Sequence, residues 1–500
     1  MKQSFFQKVF NLCKIREYSF QKETLEKYSK DFSFFIGEVP KCIAWVTQNN
    51  QIEMLLKLAN KYKFKIIPVS SKSIYRMHGD TIPRKKDSII LNLSKMDKIL
   101  EIDRKNKAVK IQPGVTYQKL LKKLEHRDLK LLSPLHPRAQ KSVLMGALDR
   151  EPITIPRYHW DSSDPLLCTE LFFGSGHFFR TGSAAGPGTI EQQQKMGQAQ
   201  INPMGPTQFS PYRIIQGSQG SIGVVLWGTL KIELKPDIQE VYHLQSNNLA
   251  ELLELQYYLI RNRLCDELLI LNNINLACLL QEESEKILSV KDSLMEWNLI
   301  YVISGYGELA KERIKYLKGD IAEIIEDLQL NKDIVKDLNR KEKILHFLTT
   351  STQNPWRFRL KGAVQDIQFL INYQKIDDSI SLVMENIQNE VGVYIQPINQ
   401  GTSYYCELDV FYNPQKDDKK KIKKIYYNVT EKLIHNGCFF NRPYDILSNL
   451  IYKNQDAITV DVLRKVKHIF DPNNILNPGV LCFDEQSNSE DKMTKKGVKN

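Results

Sequence analysis

Nine histidines are the side chains of this chain whose ordinary pKa lies closest to neutrality. Two of them, His78 and His159, fall in irregular segments rich in arginine and aromatic residues, where sites are commonly built. Either could take a proton as a general base. A lone histidine is more often structural or exposed, and Asp161 and Asp164 beside His159 read equally as imidazole partners or as caps. Nucleophile chemistry has little support: there is no G-x-S-x-G elbow, and Gly217-Ser218-Gln219-Gly220 has the wrong spacing. No Walker sequence exists, so ATP chemistry has none either. The eight cysteines form no C-x-x-C pair, so zinc and iron–sulfur spacing is absent and no metal site is expected. Gly217 to Gly223 carries three glycines but precedes a strand, the inverse of the dinucleotide fingerprint, which follows a strand and opens a helix. A plain tight turn is its alternative. Gly174-Ser175-Gly176 reads only as a hairpin turn.

The elements that must position these residues follow from periodicity. The first twenty residues suit a short amphipathic helix, not a signal peptide, because the apolar stretch is short and no cleavage site follows. Cys42 to Val46 and Lys65 to Val69 read as strands flanking a helix over Asn50 to Lys63. Ser88 to Leu93, Ile99 to Asp103 and Ala108 to Gln112 are strand-like, the last two forming a hairpin about Arg104 to Lys107. Thr116 can cap a helix running to Glu125. Ser133 to Asp164 shows little periodicity, and Gly182 to Pro211 is long for a structureless loop, which points to function. Ser221 to Leu234 is strand-like. Beyond Pro236 long helical patterns (Leu249 to Leu264, Glu308 to Leu328) alternate with strands (Leu299 to Ile303, Glu407 to Tyr412), then a helix over Val460 to Phe470. The polar tail after Phe483 reads as disordered.

The 500 residues suit two or about three domains, and 42% hydrophobic with 26% charged residues is ordinary globular composition. Disorder throughout, collagen repeats and a disulfide scaffold are excluded, and no apolar run is long enough to span a membrane. The net charge of +12 favours anions of some kind. Lysine-rich stretches such as Lys419 to Lys424 accompany no nucleic-acid motif, so a solvated surface is the reading and no specific nucleic-acid partner is expected. Scattered cysteines suggest reduced thiols and a cytoplasmic location.

The order of motifs adds more. Val109-Lys-Ile-Gln-Pro-Gly-Val-Thr-Tyr-Gln-Lys-Leu-Leu-Lys-Lys-Leu124 resembles the flavin-binding signature of the vanillyl-alcohol oxidase / p-cresol methylhydroxylase (PCMH-type) flavoprotein family. Ser88 to Asp103 resembles the strand and hairpin before it, Phe179 to Ser183 a strand end after it, Gln216 to Val224 the second glycine motif, and Phe470 to Gly479 the segment that returns to the flavin domain. Five matches occur in family order across about 37 to 483.

The resemblance implies an α+β fold with a PCMH-type FAD-binding domain (37–236), a cap domain over the substrate (237–455) and a returning segment (456–483), flanked by the N-terminal helical segment (1–36) and the disordered tail (484–500) read from the residues themselves. It implies FAD stretched across the first domain. Ser70, Ser71, Lys72, Ser73, Ile74 and Tyr75 occupy the phosphate loop; Pro113, Gly114 and Val115 lie against the flavin. Gly217, Gly220 and Gly223 admit adenine and ribose, Val224 lines that pocket, and Ser142 and Asn477 are further cofactor contacts. Departures are visible: serines replace the clustered glycines at 70–73, and Pro137 to Ser142 replaces a second cluster. There, Arg138 or Lys141 reads as a cofactor or anion contact, or as surface charge. Covalent attachment through His78, Tyr404 or Tyr405 has no specific match, and non-covalent binding is expected.

The implied activity is FAD-dependent oxidation of a small alcohol, phenol or 2-hydroxy acid. Arg442 and Tyr444 would orient the substrate and His78 or His159 would accept the proton, with Arg157, Tyr158 and His159 a second candidate set. The alternative is a non-catalytic flavin-fold protein or a subunit of a larger redox complex. The partner is a small-molecule substrate; the electron acceptor is open, and a homo-oligomer is compatible with these features.

Overall fold

Three sheets carry the chain, and the first grows from the expected strand–helix–strand opening. The computed structural model describes residues 2–72, 82–159, 164–185, 189–195, 212–330, 335–336, 339–416 and 419–483. Ser73, Ile74, Tyr75, His78, Asp161, the stretch 196–211 and the tail from 484 lie outside the described residues. Strands β1 (Glu17–Ser19), β2 (Ile43–Trp45), β3 (Lys65–Val69) and β4 (Ser88–Asn92) form a sheet in the order β1-β2-β4-β3. Both β2 and β3 run parallel to β4, and the helix Asn49–Tyr62 makes the crossover. Its Ile52, Leu55, Leu56 and Ala59 recur at helical spacing and are fully buried, each large side chain contributing about 1.5–3 kcal/mol. The N-terminal helix Gln3–Leu12 is present and packs Phe6, Val9 and Phe10 on the same core.

The second sheet is antiparallel: β5 (Ile99–Asp103), β6 (Ala108–Ile111), β7 (Leu129–Leu131), β8 (Leu166–Phe173), β9 (Phe178–Arg180) and β10 (Gly223–Leu234). Both expected hairpins form, β5–β6 and β8–β9. The long strand β10 is central, pairing β8 on one edge and β6 then β7 on the other. Alternation along it joins the first two sheets: Val224 and Leu226 pack with Ile66 of β3, while Val225 packs with Ile111 of β6. Two stretches without periodicity hold short helices, Val143–Leu148 and Ile190–Lys195; six residues are too few to show a period.

The third sheet has seven strands, all pairs antiparallel: β11 (Ile238–Ser246), β12 (Leu268–Asn272), β13 (Trp297–Gly305), β14 (Val335–Lys336), β15 (Ala363–Ile371), β16 (Val391–Ile398) and β17 (Ser403–Tyr412), ordered β14-β11-β13-β12-β16-β17-β15. The helices Leu249–Arg261, Ala310–Asp327, Ile376–Asn386 and Lys419–His435 cover one face. The helices Asn273–Leu280 and Lys341–Thr349 cover part of the other. The rest of that second face meets residues 134–159: Ala139 N–H donates to Thr352 O at 2.7 Å and Gln396 Nε2 to Ile153 O at 2.5 Å.

The final helix, Ala457–Phe470, returns the chain to the first sheet, where Ile66 N–H donates to Ile475 O (2.7 Å) and Asn477 N–H to Ile66 O (2.9 Å). Lys467 is the fastening. Its buried ammonium donates to the Asp471 carboxylate, to Ser221 O, and to Leu476 O at 3.0 Å. Asp471 in turn accepts Ile475 N–H (3.0 Å) and Leu476 N–H (2.8 Å). Burial lowers the Lys467 pKa, with Asp471 opposing the shift. Among the described residues no helix is long and apolar enough to cross a membrane, and all eight cysteines are free and buried.

Removing one member of a buried pair strands the other charge. Lys467→Met is therefore expected to lower unfolding free energy by about 3–5 kcal/mol, which urea denaturation followed by circular dichroism will measure.

Candidate active site

Three turns meet in one groove. Ser70 and Ser71 follow β3, Pro113 follows β6, and Ser218, Gln219 and Gly220 precede β10. With Gly223, Val224 and Asn477 they line a cavity of about 1050 Å³ including its open mouth. They converge because β10 begins at the junction of the first two sheets, beside the end of β3. Gly220 has φ +67°, and a Cβ there would stand 3.5 Å from Pro68, so a left-handed turn packs directly on β3. Asn477 Nδ2 donates to Gln219 O at 2.6 Å, and Gln219 Nε2 donates to Pro443 O at 2.6 Å. The glycine turn is thus tied to the returning segment and to the segment that carries Arg442. The groove fits an extended dinucleotide: small-residue turns, apolar walls from Leu144, Leu148 and Val225, and Asn477 Oδ1 buried with no hydrogen-bond partner in the protein.

Several expected cofactor residues stand outside this wall. The Lys72 ammonium pairs with Asp97 at 2.7 Å and does not line the groove. Gly114 packs backbone on backbone, its Cβ position only 2.5 Å from Ser94 O, and Val115 is in the core of the second sheet. Ser142 supports from behind: its hydroxyl donates to Pro113 O (2.6 Å) and caps the helix Val143–Leu148 by accepting Met145 N–H (3.1 Å), while its own N–H donates to Ser71 Oγ (3.1 Å). Gly217, φ +70°, faces the Arg150 guanidinium.

A second cavity, about 760 Å³ with its open mouth, adjoins the first; Arg138, Asp149 and Tyr444 line both. One wall comes from residues 134–152 and the other from the third sheet. Strand alternation sends Tyr404, Cys406 and Leu408 of β17 into the helix-covered core and turns Tyr405 and Glu407 toward the cavity. Register sets Gln368 of β15 opposite Glu407 and Asp366 opposite Asp409. Arg357 pairs with Glu407 and lies 3.6 Å from Asp409. Arg442 donates through Nη2 to Tyr405 Oη (2.9 Å), and Tyr405 Oη donates to Glu407 Oε2 (2.5 Å). Arg442 Nη1 also lies 3.7 Å from Asp149 and 4.0 Å from Glu151, whose other partner is Lys141. Tyr444 Oη donates to Asp149 Oδ1.

These neighbours tune the acids. Burial pushes Asp149 up to about 6, against the pull of Arg442 and Lys141. Burial and the adjacent Glu407 push Asp366 up to about 7. Burial would raise Glu407 and Glu151 as well, but Arg357 and Lys141 outweigh it and hold each below its ordinary value. Burial drives His136, at the cavity wall, down to about 4.

Of the expected catalytic residues, Arg442 and Tyr444 come together here. His159 does not join them: it lines neither cavity, and its Nδ1 accepts Asn399 N–H (3.1 Å) where Pro156–Tyr158 docks on the β16–β17 turn. Arg157 is likewise engaged with Asp266 at 2.8 Å. Arg138 and Lys141, which read equally as surface charges, are buried at the second cavity. Sequence reading did not single out Asp149, Glu151, Arg357 or Asp366. The one signal for Asp149 and Glu151 is the charge density of Asp149-Arg150-Glu151 inside an aperiodic stretch; Arg357 and Asp366 carry none.

Comparison with known proteins agrees with this geometry. A family model described as FAD binding domain matches residues 40–180, and one described as FAD linked oxidases, C-terminal domain matches residues 448–481. The fold is that of the PCMH-type FAD-binding flavoproteins. This flavoprotein is 19% identical over 484 residues to a glycolate oxidase subunit of Bacillus subtilis (strain 168), covering 91% of each chain. It is 26% identical over 155 residues to the flavoprotein subunit of 4-cresol dehydrogenase (hydroxylating) of Pseudomonas putida, 31% of this chain and 29% of that one. The fold matches substrate-bound p-cresol methylhydroxylase with a TM-score of 0.81 at 14% identity, over 97% of this chain and 98% of that one. It matches 4-ethylphenol oxidase of Gulosibacter chungangensis with 0.79 at 15%, with the same coverage. FAD is its cofactor, and it is an FAD-linked oxidase or dehydrogenase.

A side chain at Gly220 must hold a left-handed backbone at a cost of about 1–2 kcal/mol. Gly220→Ala is expected to weaken FAD binding by roughly tenfold, read as a lower ratio of flavin to protein absorbance after gel filtration.

Proposed function

We propose that this flavoprotein oxidises a small alcohol, phenol or 2-hydroxy acid by hydride transfer to FAD. The observation that carries this reading is the wall shared by Arg138, Asp149 and Tyr444, which sets a charged chamber directly against the groove that fits the dinucleotide. Bound FAD supplies the two-electron acceptor for the hydride leaving the substrate carbon. The protein's part is to hold the hydroxyl and remove its proton. Arg442 Nε is buried with no hydrogen-bond partner in the protein and is the donor for the substrate oxygen. Tyr444 Oη takes the hydroxyl proton as it passes its own to Asp149, whose raised pKa suits a base working near neutrality. The carbonyl product leaves, and the proton stays on Asp149 until solvent takes it.

In this reading the cofactor is held by residues 37–236 and 456–483 and the substrate is covered by 237–455. Similar proteins acting on glycolate and cresol support the substrate range. Eight free, buried cysteines favour a reducing, cytoplasmic setting.

An absorbance spectrum before and after acid precipitation shows whether flavin is present and releasable. Stopped-flow bleaching with a panel of hydroxyl compounds then tests the chemistry. Asp149 accepts a proton only as the carboxylate, so the bleaching rate is expected to rise with pH through about 6 and level off above. Asp149→Asn should remove that limb and slow bleaching by about a hundredfold or more. Flavin that no hydroxyl compound reduces would instead support a non-catalytic flavin-fold protein.

A further inference from the structure

We propose that the second cavity selects an uncharged hydroxyl compound and rejects carboxylate-bearing ones. The inference rests on the oxidoreductase reading above and narrows its substrate class.

The argument is one of charge already matched in place. Four basic side chains line the cavity, Arg138, Lys141, Arg357 and Arg442, and four acidic ones, Asp149, Glu151, Asp366 and Glu407. Three of the bases meet acids at close range. Lys141 pairs with Glu151, and Arg357 with Glu407 and Asp409. Arg442 faces Asp149 and Glu151 while its Nη2 holds Tyr405. Arg138 acts on Glu151 electrostatically. Lys141, Arg357 and Arg442 have side chains only 6%, 16% and 4% exposed, so these charges meet with little water between them.

A substrate carboxylate entering this chamber would be the unmatched charge. It would have to take a guanidinium or ammonium from a protein carboxylate, stranding that carboxylate in a low-dielectric site, or remain unpaired itself. A neutral molecule meets neither cost. The donors left without a partner suit it: Arg442 Nε and Trp356 Nε1 are both buried and unbonded on lining residues. Trp356, Tyr394 and Tyr405, with Pro134, Pro137 and Pro355, supply apolar surface for the body of such a molecule.

The test is a binding panel of matched pairs on the purified protein at pH 7.5, read by isothermal titration calorimetry: benzyl alcohol against mandelate, and 1,2-propanediol against lactate. The neutral member of each pair is expected to bind about tenfold more tightly or better. Glu151→Gln, which leaves Lys141 without its counter-charge, should move the ratio at least about fivefold toward the carboxylates, and Lys141→Met added to it should restore the neutral preference. Carboxylates that bind the wild-type protein as tightly as their neutral partners overturn the inference, as does a wild-type chamber that binds no neutral member. The visible flavin band of the same samples separates the two claims: yellow protein that prefers mandelate and lactate keeps the oxidoreductase reading and discards this one. Protein without flavin fails the oxidoreductase reading, while the ranking still decides selectivity.

Discussion

Buried charge must be neutralised where it stands, and the centre of this molecule is organised by that constraint. The third sheet presents Asp366, Glu407 and Asp409 on one face, and the segment 138–151 presents Arg138, Lys141, Asp149 and Glu151 against it. Neither surface could stay dry alone. Arg357 answers the sheet's acids from the same half of the chain, and Arg442 bridges the two halves through Tyr405, Asp149 and Glu151. The same network that holds the halves together shapes the chamber between them, so docking and selectivity come from one set of contacts.

A second fastening works at the cofactor groove. The returning segment reaches the groove because Lys467 and Asp471 close a buried turn around it, and Asn477 then holds the glycine turn by its Gln219 carbonyl. Gln219 passes the restraint on to Pro443, beside Arg442. The groove and the chamber are therefore coupled through backbone contacts as well as through the shared Arg138, Asp149 and Tyr444.

Much of the fold was legible in the sequence. Both hairpins, the strand–helix–strand opening and the long helices formed within a few residues of expectation, because hydrophobic period and turn residues are local properties. The site was legible in part. Arg442, Tyr444, Ser70, Ser71, Pro113, Gly220, Gly223, Val224 and Asn477 line the two cavities. Lys72 and His159 do not, because each found a partner distant in sequence, Asp97 and the Asn399 amide. Nothing at positions 72 or 159 announces those partners.

Strand β17 shows where the division falls. Its alternation of Tyr404, Cys406 and Leu408 with Tyr405, Glu407 and Asp409 determines, from sequence alone, that one face is a core and the other polar. Such a polar face ordinarily belongs to water. Only tertiary structure decided that 138–151 would cover it, turning solvated carboxylates into members of a buried, charge-matched chamber. The motifs that carry the resemblance to flavin-binding proteins, such as Val109 to Leu124 and Phe470 to Gly479, are likewise local and stand in the sequence by themselves. Which charges face which depends on chain segments hundreds of residues apart, such as Asp149 and Arg442, and no local pattern encodes their distance.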